Sequence, residues 1–180
     1  MATNSAIIIK LRPEDKGNIV SYDKNKLPKG VKQEEWIERD LHTGKVYLDF
    51  RGKEKSRPIY IANHEYIGIF CNWDGKYIGE WLDKQFETHE EVLNLIVGGS
   101  CSTVWDGYVR RYANKKGELF KYLLPVQGDK LEDVYSKITS QYLHVYDNGW
   151  KHYKYDGDAL TSDGRTVAGI LELKKQEYYG

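Results

Sequence analysis

Thiols are scarce in this chain. Cys71 and Cys101 are the only cysteines among 180 residues. They lie far apart, with no C-x-x-C pair and no adjacent histidines, which makes a poor zinc site. The chain start carries neither the basic segment nor the apolar segment of a secretory signal. No apolar run approaches the roughly 20 residues that cross a bilayer. A cytoplasmic protein with two reduced thiols and no membrane partner is therefore expected. Net charge is missing as well: 27 Lys+Arg stand against 27 Asp+Glu. That balance excludes the global basic footprint of a non-specific nucleic-acid binder. Catalytic and metal patterns are equally thin. The histidines, His42, His64, His89, His144 and His152, form no H-E-x-x-H or related motif. His144 and His152 can fall on paired strands of the last hairpin. No carboxylate pair has telling spacing, and Cys71 beside Asn72 and Asp74 lacks an evident base. No cofactor and no metal are expected.

What the chain has is tyrosine, 15 residues of it, within an aromatic content of 13%. Tyrosine suits half-buried strands and recognition surfaces, so an ordinary sheet or a homodimer or partner interface accounts for it. The length fits a single domain, 1–180, in which 13–58 reads as an insertion or sub-domain. Ser5 to Leu11 is β-branched and reads as a strand, with Asn18 to Tyr22 as its returning partner. Gln33 to Leu41 sets Trp36, Ile37 and Leu41 on a helical face, with a strand as the alternative; Lys45 to Phe50 alternates like a half-buried strand, and Arg51 to Arg57 reads as a charged turn. Ile59 to Ala62 and Tyr66 to Phe70 read as two strands joined at Asn63-His64-Glu65. Helical spacing predicts Lys76 to Phe86 and Lys130 to Gln141. Thr88 and Glu91 form a capping-box pattern for a helix ended by Gly98-Gly99. Asn148-Gly149 predicts a two-residue turn between Leu143–Tyr146 and Trp150–Lys154. Val167 to Lys175 reads as a last short helix. The fold class is α+β: a largely antiparallel sheet built from hairpins, packed with three to four short helices.

Two Trp-Asp-Gly turns, Trp73-Asp74-Gly75 and Trp105-Asp106-Gly107, bracket a helical segment and the small-residue string Gly98-Gly99-Ser100-Cys101-Ser102-Thr103. Each turn has a structural account: the Asp accepts from following amides, the Gly relieves a positive φ and the Trp anchors the turn. A functional account is also available. A glycine–serine loop can cradle an anion with its amides and hydroxyls, while a nearby indole stacks on a base. The string lacks the spacing and lysine of a Walker A loop. The candidate ligand-binding residues are accordingly Trp73, Asp74, Gly98, Gly99, Ser100, Ser102, Thr103, Trp105, Arg110 and Arg111. The two arginines suit a phosphate or an acidic partner.

Met1-Ala2-Thr3-Asn4-Ser5-Ala6-Ile7, Cys71-Asn72-Trp73-Asp74-Gly75, the Gly98–Ser102 string and Tyr142 to Trp150 occur in an order that resembles a family of small proteins common in bacteriophage genomes. Asn4 stands where that family usually has an arginine, and Asn72 where it often has a histidine. The resemblance implies a phage accessory protein in the host cytoplasm. The function it implies is a non-enzymatic, stoichiometric inhibitor of antiviral defence, acting on a defence effector such as a CRISPR nuclease or by sequestering a nucleotide immune signal. The alternative is a small hydrolase of a nucleotide-like substrate, using Cys71, Asp74 or His64.

Overall fold

The computed structural model describes residues 3–35, 38–39, 46–47, 58–111, 124–155 and 170–179. In chain order the strands are β1 (Ser5–Lys10), β2 (Ile19–Val20), β3 (Lys32–Glu35), β4 (Glu38–Arg39), β5 (Val46–Tyr47), β6 (Ile59–Tyr60) and β7 (Tyr66–Cys71). They continue with β8 (Cys101–Trp105), β9 (Tyr108–Arg111), β10 (Val126–Gly128), β11 (Tyr142–Tyr146), β12 (Trp150–Tyr155) and β13 (Ile170–Leu173). Four helices accompany them: α1 (Ile78–Gln85), α2 (His89–Val97), α3 (Leu131–Ile138) and α4 (Lys175–Tyr178).

The α+β class holds. A nine-stranded sheet runs β13-β12-β11-β1-β7-β8-β9-β3, with β10 also paired to β7. It is mixed: β1 meets β11 in parallel, as β7 meets β8 and β3 meets β9, while the remaining pairs are antiparallel. Its centre is β1, whose SAIIIK run buries both faces, as a strand covered on two sides requires. Ile7 and Ile9 point into a core shared with Ile78 and Leu82 of α1 and Val92, Leu95 and Ile96 of α2. Ala6 and Ile8 face the other way, onto Val134 and Ile138 of α3. The result is three layers, α1–α2, sheet, α3.

Capping explains why α2 begins where it does. The Thr88 hydroxyl accepts from the Glu91 amide and Glu91 accepts from the Thr88 amide, the predicted capping box. Gly99, at φ 83°, then turns the chain out of the helix. Because β7 and β8 are parallel, α1 and α2 form the crossover between them. The first Trp-Asp-Gly turn opens that crossover. The second closes the β8–β9 hairpin, where Trp105 pairs with Tyr108 across Asp106-Gly107.

Several expectations are corrected. The segment Asn18–Tyr22 does not return along β1: β2 pairs with β6, because β7 and β11 already occupy both edges of β1. The two strands expected on either side of Asn63-His64-Glu65 are present as β6 and β7, and β7 pairs with β1, β8 and β10. The start of the Gln33–Leu41 segment is strand, not helix: β3 lies along β9, and Trp36, Ile37 and Leu41 fall outside the described residues. Of Lys45–Phe50, Val46 and Tyr47 are strand, and the charged turn 51–57 is outside the described residues. The last hairpin turns over three residues, Asp147 to Gly149, with Asn148 at φ 54°. The described part of Val167–Lys175 holds a strand, β13, which pairs with β12 before α4 begins. No helix among the described residues is long and apolar enough to cross a membrane.

Candidate functional site

The chain leaves β7 still paired to β8. The Asn72 amide donates to the Cys101 carbonyl at 3.1 Å, and the Trp73 amide to the Ser102 carbonyl at 2.8 Å. Asp74 then turns left-handed, at φ 58°, a conformation Asp tolerates better than most residues. Gly75 follows with its amide on the Thr3 carbonyl at 3.0 Å, and a Cβ there would run into the Asn4 carbonyl. Only glycine fits. The Asp74 carbonyl accepts from the Ile78 amide at 2.9 Å and so starts α1. Its carboxylate Oδ2 accepts from the Thr103 hydroxyl at 2.9 Å, which ties the turn to β8.

These contacts enclose a cavity of about 280 Å³ lined by Trp73, Asp74, Ser102, Thr103, Tyr108 and Arg110. Ser102 and Thr103 are buried. Trp73 is 41% exposed. Arg110 lies over the Tyr108 ring, 5.1 Å from its centre, and donates to Glu34 Oε2 from Nε at 3.3 Å and from Nη2 at 3.1 Å. Thus five of the ten sequence-derived residues, Trp73, Asp74, Ser102, Thr103 and Arg110, share one concavity.

The other five are elsewhere. Trp105 packs on Trp81 with ring centres 5.8 Å apart, and its turn is held by Gln85, which donates to the Trp105 carbonyl at 2.9 Å and accepts from the Gly107 amide at 2.6 Å. Arg111 is buried. Its guanidinium donates to the carbonyls of Gly99 and Leu95 and to Cys101 Sγ at 3.0 Å, and lies 4.7 Å from the centre of the Tyr22 ring. It therefore closes the C-terminal end of α2, where a cation suits the helix dipole. Gly98 makes room for it, since a Cβ at that position would strike the guanidinium. Gly98, Gly99 and Arg111 thus form a helix cap. Ser100 is buried at the entry to β8. The glycine–serine string is a helix cap, Gly98-Gly99, followed by the start of β8, from which Ser102 and Thr103 line the cavity.

The hydrolase residues do not converge either. Cys71 is fully buried, and burial, with Cys101 adding to it, pushes its thiol well above the ordinary range. Such a thiol is not a nucleophile. His64 is engaged with Asp129 at 2.9 Å, on a different loop.

A second constellation lies beneath the first turn. His144 and His152 are register partners on β11 and β12, both buried, with Nδ1 atoms 2.6 Å apart. His144 Nε2 donates to the Gly75 carbonyl at 2.5 Å. His152 Nε2 meets Asp83 Oδ1 at 2.9 Å, and Asp83 Oδ2 accepts from the hydroxyls of Tyr178 and Tyr179 at 2.6 and 3.0 Å. Gly79 lets α1 approach this pair, for a Cβ there would crowd both imidazoles and Tyr178.

Hydrogen counting constrains the chain of contacts. The Gly75 carbonyl only accepts, so His144 Nε2 carries a hydrogen, and a neutral His144 then accepts at Nδ1 from His152. Three contacts need three hydrogens, and two neutral imidazoles supply two. The third is shared between His152 and Asp83. Burial, and then the neighbouring His152, push His144 down to about 3, which keeps it neutral. Burial works to raise Asp83, but hydrogen bonds from His152 and Tyr178 outweigh it and hold its carboxyl below the usual value. Burial and then Asp83 raise both phenols, Tyr179 to about 12. Both ends of this relay terminate on protein groups, a carbonyl and two tyrosines, so it holds the turn and delivers no proton to a ligand.

A larger concavity, about 510 Å³, lies between α3 and the β11–β12 hairpin, away from the candidate residues. Its polar groups already serve each other: Asn4 and Gln141 exchange amide contacts at 3.3 and 2.9 Å, and Tyr135 stacks on Tyr155 at 5.5 Å. The smaller cavity is the one that brings the candidate residues together, Trp73 and Arg110 among them. Among the described residues no group of three or more His, Cys, Asp or Glu is placed to hold a metal ion. No family model matches the chain, and comparisons with curated proteins and with solved structures give no match.

Proposed function

We propose that the chain is a stoichiometric binding protein that sequesters a small nucleotide in the Trp73–Arg110 cavity. One observation carries this reading: residues distant in sequence, from the turn after β7 and from β8 and β9, line a single concavity that combines an exposed tryptophan with an arginine. An indole stacks on any base, and a guanidinium recognises a phosphate with directed donors. The volume, about 280 Å³, lies just below the usual range of ligand cavities, roughly 300–1,000 Å³. It suits one ring and its adjoining group better than a protein segment, which favours capture of a signal over a plug on a defence effector. In a phage setting, as the sequence resemblance implies, the ligand would be a nucleotide immune signal of the host, and its removal would silence the defence.

Binding is favoured over hydrolysis because only Asp74 of the three hydrolase candidates lines the cavity, where its carboxylate is engaged by the Thr103 hydroxyl. The test is recovery of ligand. Purified protein is incubated with linear and cyclic nucleotides, freed of unbound material, denatured, and its contents chromatographed. The proposal expects one nucleotide released unchanged. Retention of none overturns it, and release of a cleaved product favours the hydrolase.

A further inference from the structure

The geometry points to guanine as the base this cavity selects, an inference that rests on the nucleotide reading above. Asp74 supplies the one carboxylate among the residues lining the cavity. Its carboxylate is positioned by the Thr103 hydroxyl, which donates to Oδ2 at 2.9 Å, on a left-handed backbone at φ 58°. It lines the same cavity as Trp73, its neighbour in the chain.

A carboxylate accepts hydrogen bonds and donates none. It therefore favours the base edge with the most adjacent donors. Guanine offers two side by side, N1–H and the N2 amino group, which a carboxylate can receive together. Adenine and cytosine each set one amino group beside a ring-nitrogen lone pair, and uracil sets one N–H between two carbonyl oxygens. Each of these places an acceptor against the carboxylate. Arg110, over the Tyr108 ring in the same lining, would meet the phosphate with a guanidinium that also serves Glu34.

The experiment is a calorimetric titration of the full chain with GMP, AMP, UMP and inorganic phosphate, repeated on Asp74→Asn. Asparagine tolerates the same backbone conformation and its carbonyl still accepts from Thr103, so the turn is preserved. GMP is expected to bind at least about tenfold more tightly than AMP, the worth of a charged hydrogen bond. In Asp74→Asn that preference collapses, while the melting temperature stays near that of the wild type. AMP or UMP binding as tightly as GMP to the wild type overturns the guanine assignment and leaves the nucleotide reading standing. A preference that survives Asp74→Asn removes Asp74 from it. Thr103→Val, which frees the carboxylate to rotate, is expected to weaken the preference without reversing it, and an unchanged preference counts against the inference. Failure of every nucleotide and of phosphate to bind overturns the nucleotide reading itself.

Discussion

His144 and Gly75 are 69 residues apart in sequence, yet the imidazole Nε2 of the first sits 2.5 Å from the carbonyl of the second. That contact joins the last hairpin to the turn carrying Trp73 and Asp74. The rim of the cavity is thus held from beneath by the His144–His152–Asp83 relay.

Breaking the relay at its first member leaves two buried partners without a hydrogen bond, the Gly75 carbonyl and His152 Nδ1. Each such group costs about 1–3 kcal/mol. His144→Leu is therefore expected to lower the unfolding free energy by about 2–5 kcal/mol, measured by urea denaturation, and to weaken ligand binding because the turn is released. A loss of stability with unchanged affinity would separate the relay from the site.

Acid should act through the same histidine. His144 is held neutral in the folded chain, down to about 3, whereas in the unfolded chain it protonates near 6.5. Below about pH 6.5 the unfolded state therefore takes up a proton that the folded state refuses. Its contribution falls by about 1.4 kcal/mol for each pH unit until about pH 3. Asp83 adds to the fall at the acid end, because its depressed value means that stability present above its unfolded value is lost as it protonates. Denaturation between pH 7 and 4 checks this, and His144→Leu is expected to flatten the slope.

The glycine of the first turn admits no side chain. In Gly75→Ala the new methyl group meets the Asn4 backbone, which β1 holds in the centre of the sheet. A loss of about 2 kcal/mol or more is expected, in the range of overpacked buried sites. Gly149→Ala is the contrasting case: its φ is positive where that of Gly75 is not, and it has open space around it, so its cost should be about 1 kcal/mol of backbone strain. Equal effects of the two would mean that the Asn4 contact is unimportant.

Glu34 and a ligand phosphate draw on the same guanidinium. The Glu34 side chain is about half exposed (48%), so its pairing with Arg110 is weak and screened. Glu34→Gln is expected to tighten binding of an anionic ligand several-fold at low salt, and Arg110→Ala to weaken it, both by calorimetry. Weaker binding in Glu34→Gln would mean that Glu34 touches the ligand directly.

Much of the local architecture is readable from the residues alone. The capping box of Thr88 and Glu91, the left-handed exit at Gly99 and the stripes of α1 and α3 are written in short-range spacing. Pairing is not. Ser5 to Lys10 reveals a buried strand but not that its neighbours are β7 and β11, because periodicity carries no information on partners. The Gly98–Thr103 string misled for a related reason: small residues suit a loop, but they suit a crowded interior strand and a helix cap equally well. Trp73, Asp74, Ser102, Thr103 and Arg110 line one concavity because the turn after β7 lies beside β8 and β9. Tyr108 and Glu34 reach the site only through sheet order. Asp83 and Tyr178 join the histidine pair through α1 and α4, which no local pattern connects.

The most direct measurement is the calorimetric titration of the purified chain with the nucleotide it retains, set beside Trp73→Ala. Saturable binding of one ligand per chain is expected, weakened in the variant by about 1–3 kcal/mol for the lost stacking platform, with its melting temperature unchanged because the indole is largely outside the core. No saturable binding of any nucleotide, or equal affinity in Trp73→Ala, would contradict a ligand site at this cavity.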